Sequence, residues 1–271
     1  MKMHTSIYWI TLLFILFVLP VQASDLNKEK RWANQIIDYL FDGESYWLEA
    51  NGSPFLAVYT PAATKNPRGV AILMHGRGVH PDWAKVIKPL RTELPEKGWA
   101  TLSIQMPVLA NDAPYQEYIP LFREVPERIK AAIAFVRHRH LKPIVLIGHS
   151  LGATMGSYYL AHHPNTKINA FVGIGMMASK EVVQNTVLDD TVSLRNISIP
   201  VLDLYGSRTE ESILKTAPQR KISISKAGNP LSEQIVIKGA THFFDGQEDA
   251  LLMTVTDWLS KATLSHARAS N

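Results

Sequence analysis

A chain of 271 residues, 46% hydrophobic and with a formal charge of +4, is long and apolar enough to bury one sizeable core. Its lack of cysteine excludes disulfides, thiolate metal sites and a lipid-modified cysteine. The mild positive charge comes without a basic block or an aromatic stripe, which argues against nucleic acid as a partner.

The chain opens with Lys2, an apolar run from Ile7 to Leu19, Pro20, and the small residues Val21 and Ala23 around Gln22. This pattern predicts a secretory signal peptide over residues 1–23, cut after Ala23, with a single domain over 24–271. The apolar run of about 13 residues is shorter than the roughly 20 that span a bilayer, so no membrane anchor is expected after cleavage. The protein is therefore expected to be exported, periplasmic or secreted, and a cysteine-free chain suits a bacterial envelope.

Asp25 to Phe41 follows with Trp32, Ile36, Ile37, Leu40 and Phe41 at helical spacing, which predicts an amphipathic helix docked over one end of a sheet. Tyr46–Ala50 and Phe55–Thr60 flank Asn51-Gly52, the dipeptide that two-residue hairpins prefer because both positions accept positive φ. Gly69 to Met74 is apolar throughout, as in a strand buried on both faces of a parallel sheet. Beyond it, helical patterns at 83–96, 126–138 and 150–162 alternate with strand runs at 100–105, 144–147 and 170–174. Further strands are expected at 201–205 and 235–237, a last helix at 248–259, and a frayed polar tail from Ala262. The alternation implies βαβ units and a mostly parallel sheet. The stretch Met106–Glu124, with three prolines and the aromatics Tyr115, Tyr118 and Phe122, reads as a long irregular connection that either shapes a pocket or packs on the core. The span from Met176 to Pro200 is too short for a separate cap domain.

Within that order, Gly148-His149-Ser150-Leu151-Gly152 sits between an apolar strand and an Ala/Gly/Leu helix and matches G-x-S-x-G. The glycines let the strand turn sharply into the helix, so Ser150 is the candidate nucleophile. In open α/β sheets ligands sit at the carboxyl ends of the strands. The His75-Gly76-Arg77 loop ends the first long buried strand, and a backbone N–H there, assigned to Arg77, pairs with that of Leu151 as a candidate oxyanion hole. Gly239-Ala-Thr-His242 follows the last strand; of the ten histidines only His242 and His266 come after the serine and acid in the order Ser, acid, His, and His266 falls in the polar tail, which singles out His242. It is the candidate general base and acid. The acid is open between two residues. The position three beyond Gly206 is Thr209, which cannot carry charge, so Glu210 is next in line, with Asp203, inside the strand, as its rival.

The His75-Gly76 loop, the Gly148–Gly152 elbow and the Gly239–His242 loop come in the order of the α/β-hydrolase superfamily, which the chain resembles. Within it the chain is similar to an exported bacterial family of uncharacterised α/β hydrolases. The resemblance implies an α/β fold with about eight mostly parallel strands and helices on both faces. It also implies serine hydrolysis of an ester, thioester or amide, acting on a small-molecule substrate without metal or cofactor. Two other readings stand beside the esterase: a peptidase or amidase using the same serine and histidine, and a non-catalytic periplasmic binding protein with an incomplete triad.

Overall fold

The computed structural model describes residues 24–177, 181–183 and 186–268. Residues 1–23, read above as a signal peptide, lie outside the described residues.

The hairpin forms where Asn51-Gly52 places it: both turn residues have positive φ, 51° and 74°, and β1 (Glu44–Ala50) pairs antiparallel with β2 (Ser53–Thr60). The central strands are β3 (Gly69–Met74), β4 (Trp99–Ile104), β5 (Ile144–His149), β6 (Ala170–Ile174), β9 (Val201–Gly206) and β10 (Glu233–Ile237). β7 (Glu181–Val183) and β8 (Thr186–Leu188) make a small separate hairpin. The main sheet has eight strands in the order β1-β2-β4-β3-β5-β6-β9-β10. From β4 to β10 every pairing is parallel, and β2 joins β4 antiparallel.

Buried-on-both-faces strands need helices on both sides, and the alternation of side chains sorts the core accordingly. Val70, Ile72 and Met74 of β3 and Leu146 of β5 face the layer of α3 (Val125–His138), α4 (Leu151–His162) and α6 (Glu211–Ala227). Ala71, Leu73, Val145 and Ile147 face α2 (Ile87–Glu93) and α7 (Glu248–Arg268). α1 (Leu26–Asp38) lies at the hairpin end, Ala33 and Ile36 packing on Leu56 and Val58. The result is a single α/β domain, and among the described residues no separate cap is present.

Several boundaries differ from the expectation. The first helix stops at Asp38, so Phe41 is not part of its apolar face and is 92% exposed. The helix expected from Trp83 begins only at Ile87, because Val86 sits at φ 62°. α5 (Asp190–Arg195) lies in the 176–200 span, which has room for one helix, while α6 has no counterpart among the expected elements; it is polar and carries Pro218 in its interior, so its pattern is weak. The tail expected to fray from Ala262 is helical to Arg268, and Ala262 and Thr263 are buried. Of the Met106–Glu124 aromatics, Tyr118 and Phe122 are buried in the core, in a 3-10 run over Tyr115–Arg123, while Tyr115 lines a pocket.

Candidate active site

Strand β5 ends at His149 and α4 starts at Leu151, which leaves Ser150 alone to make the reversal at φ 54°, ψ −123°, a conformation L-residues seldom adopt. Its neighbours must be glycine for reasons of space. A Cβ on Gly148 would lie 2.5 Å from Ala153 Cα, and one on Gly152 would strike the carbonyl oxygens of Met74 and His75. The Ser150 N–H is held by the Ile174 carbonyl at 2.8 Å, while the Leu151 N–H occupies the first position of α4, where no intrahelical acceptor exists.

The β3 loop runs against this turn: a Cβ on Gly76 would sit 3.2 Å from that of Ser150. The loop is braced by His75, whose Nδ1–H donates to the Gly76 carbonyl (2.8 Å) while Nε2 accepts from the Met106 N–H and the Gln105 amide (both 2.9 Å). Burial pushes the His75 imidazole down to about 3, so it stays neutral and keeps one acceptor nitrogen.

His242 arrives on the loop after β10. Its Nδ1 lies 3.0 Å from Glu210 Oε2 and 3.3 Å from Thr209 Oγ1, and the Thr209 hydroxyl donates to the same Glu210 oxygen at 2.7 Å. The carboxylate fixes the proton on Nδ1 and leaves Nε2 as the basic nitrogen. His149 supports the loop from below: its Nε2–H donates to the His242 carbonyl at 3.0 Å, and the two rings lie 4.7 Å apart. Burial holds the His242 imidazole below the usual histidine value, opposed by the Glu210 charge, and holds His149 down to about 3.

Ser150, His242, Glu210, Arg77 and Leu151 thus line one pocket of about 300 Å³, with apolar walls from Trp83, Tyr115, Met177, Ile213 and Phe243. No hydrogen bond joins the Ser150 hydroxyl to His242, a looseness common in unliganded sites. Asp203 is not part of the cluster. It is fully buried in β9, where Oδ2 accepts from Arg220 Nε (2.9 Å) and Gln234 Nε2 (2.7 Å). The rival acid is therefore committed to a core ion pair. Among the described residues no group of three or more His, Asp or Glu is placed to hold a metal.

Three supporting residues were not foreseen. Gly175, at φ 61°, lets the His242 ring lie against it: a Cβ there would come 2.8 Å from Cε1 and 2.9 Å from Nδ1. The only sequence cue was a Gly-Ile-Gly at the end of an apolar run. His149 and Thr209 touch His242 through contacts that span 93 and 33 residues, and no local pattern encodes these.

The profile of a family described as "Protein of unknown function (DUF3530)" matches residues 20–121 and 120–261. The chain belongs to that family. No functionally curated protein matches the sequence of this DUF3530 member. Among solved structures it is similar to an alpha-beta serine hydrolase homologue from Coxiella burnetii, with TM-score 0.62 and 20% identity over 81% of this chain and 98% of that one. It is also similar to Est1E from Butyrivibrio proteoclasticus (TM-score 0.61, 16% identity, 82% and 99% covered). A dienelactone hydrolase from Anabaena variabilis gives TM-score 0.61 at 17% identity, with 82% and 99% covered. The DUF3530 chain therefore has the α/β-hydrolase fold.

Proposed function

We propose that the protein is a serine hydrolase that cleaves a carboxylic ester through an acyl-enzyme. The observation that carries this reading is the opening of the strained Ser150 turn and the Glu210-paired His242 onto the same pocket. His242 Nε2 takes the Ser150 proton as Oγ attacks the acyl carbon, and the C–O bond to the leaving group breaks as the imidazolium returns that proton to it. Water repeats the sequence in reverse roles and releases the acid. The Leu151 N–H and the Arg77 N–H are assigned to the oxyanion, and Glu210 stabilises the imidazolium. The apolar walls favour an apolar acyl group. Thioesters meet the same requirements.

Solved neighbours named as a serine hydrolase homologue and a dienelactone hydrolase are consistent with hydrolysis on this fold. The signal-like pattern of residues 1–23 supports action in the cell envelope or medium. The test is a series of short to long p-nitrophenyl esters together with a fluorophosphonate probe, on wild type, Ser150→Ala and His242→Ala. Turnover and labelling that vanish in both variants support the reading; activity retained in Ser150→Ala refutes it. Anilides of the same acids, run in parallel, separate an esterase from an amidase.

A further inference from the structure

Ser24 is only 8% exposed, and both of its donors point at one carboxylate. Its N–H donates to Glu124 Oε1 at 2.9 Å and its hydroxyl to Oε2 at 2.7 Å. Next to it, the Asp25 N–H is taken by the Val108 carbonyl at 2.7 Å. Beneath Glu124 lies Arg128, bidentate on Glu29 (2.8 and 3.0 Å), which also donates to Ser24 Oγ (3.2 Å), Glu124 Oε2 (3.4 Å) and the Gln105 carbonyl (3.0 Å). The side chains of Glu29 and Arg128 are 5% and 4% exposed, and that of Glu124 is 25% exposed.

This is a buried ionic cluster with two carboxylates and one guanidinium. Removing charges from water is tolerated when they are balanced, and with both carboxylates ionised this cluster is one positive charge short. Lys28, the other nearby cation, is committed elsewhere: its Nζ donates to the Leu109 carbonyl (2.6 Å) and sits 4.6 Å from the Trp32 ring centroid.

We propose that the missing charge is the α-ammonium of Ser24, created when an export peptidase cuts after Ala23. Hydrolysis of the Ala23–Ser24 bond adds one water: the carboxylate departs on Ala23, and the Ser24 nitrogen gains protons to become an ammonium. That nitrogen already stands 2.9 Å from Glu124 Oε1. A neutral amide donor to a carboxylate becomes an ammonium–carboxylate pair, and the cluster becomes neutral. Ser24 is 8% exposed with α1 docked, so the cut precedes docking. The mature N-terminus is then a structural cation that clamps α1 to the start of α3, and correct processing is a condition for full stability.

The test compares three forms of the mature chain: a free Ser24 amine, an N-acetylated Ser24, and one glycine added before Ser24, each with and without Glu124→Gln. Acetylation keeps the N–H and removes only the charge, so it remains informative if Glu124→Gln fails to fold. Blocking or extending the amine is expected to raise the unfolding equilibrium constant about tenfold or more, as loss of a charged hydrogen bond does. Glu124→Gln should abolish that difference. N-terminal sequencing of the exported protein should begin at Ser24. Equal urea midpoints for the free and acetylated chains, an undiminished difference in the Glu124→Gln background, or a different first residue would overturn the proposal. Esterase activity is not the readout, so failure here leaves the reading of the pocket untouched.

Discussion

Glu210 Oε2 stands 3.0 Å from His242 Nδ1, yet the two side chains live in different media: the imidazole is 11% exposed and the carboxylate 51%. The charge that orients the ring is thus half in water, where its field is partly screened.

From this, Glu210→Gln is expected to lower kcat by about 10² to 10⁴, the upper figure being that of a buried triad carboxylate replaced by its amide. The melting temperature should hardly move, because the side chain packs little. A variant within twofold of wild-type turnover would remove Glu210 from the catalytic assignment.

Asp203→Asn is expected to do the opposite. It leaves the Arg220 guanidinium buried without its counter-ion in a site where both side chains are 0% exposed. Breaking such a pair by changing one partner costs about 3–5 kcal/mol. Urea unfolding should show that loss, while folded Asp203→Asn at low temperature should keep near-normal kcat.

Gly175→Ala places a methyl 2.8 Å from His242 Cε1 on a backbone at φ 61°. The strain costs about 1–2 kcal/mol, and displacement of the ring by even an ångström costs about 10² in rate. We expect kcat to fall with KM nearly constant; an unchanged kcat would show that the ring has room elsewhere.

The pH dependence has two parts. The proposed mechanism needs neutral His242, whose burial lowers its pKa, so the acid limb of kcat/KM should lie below the ordinary histidine value of about 6.5. For stability, His75 and His149 are held down to about 3, so the unfolded chain binds their protons first and the fold loses stability as pH falls from 6.5 toward 3. Asp190, raised to about 6 by burial despite bonds from Ser157 and Thr154, acts in the opposite sense, losing its contribution as pH rises through 6. Burial also holds His80 and His242 down and pushes Glu29 and Asp203 up; the four histidines, whose unfolded value of about 6.5 lies inside the interval from pH 7.5 to 5, outweigh the three carboxyls, so the urea midpoint at pH 5 should be below that at pH 7.5. A higher midpoint at pH 5 would contradict the neutral state of the buried rings.

The parts legible in the sequence were those written in short-range pattern. The Asn51-Gly52 hairpin, the apolar central strands and the Gly148–Gly152 turn each carry their cause within a few residues. The β9 loop was harder, because Thr209 and Glu210 both reach a histidine 33 and 32 residues away, and no local pattern encodes those contacts. Asp203 could be separated from the acid's role only once Arg220 of an unforeseen helix was placed beside it. α6 itself escaped because its polar face and Pro218 blur the helical period.

Glu210 is also the N-cap residue of α6, although its side chain makes no capping bond there. It carries the proposed catalytic charge while contributing almost nothing to the scaffold. A single change at this position therefore adjusts catalytic power with the architecture intact, whereas a strand carboxylate such as Asp203 is bound to the fold's survival. In evolutionary terms the site has a dial that selection can turn in either direction, toward a fast hydrolase or a binding pocket that holds its ligand uncut, without crossing an unfolded intermediate.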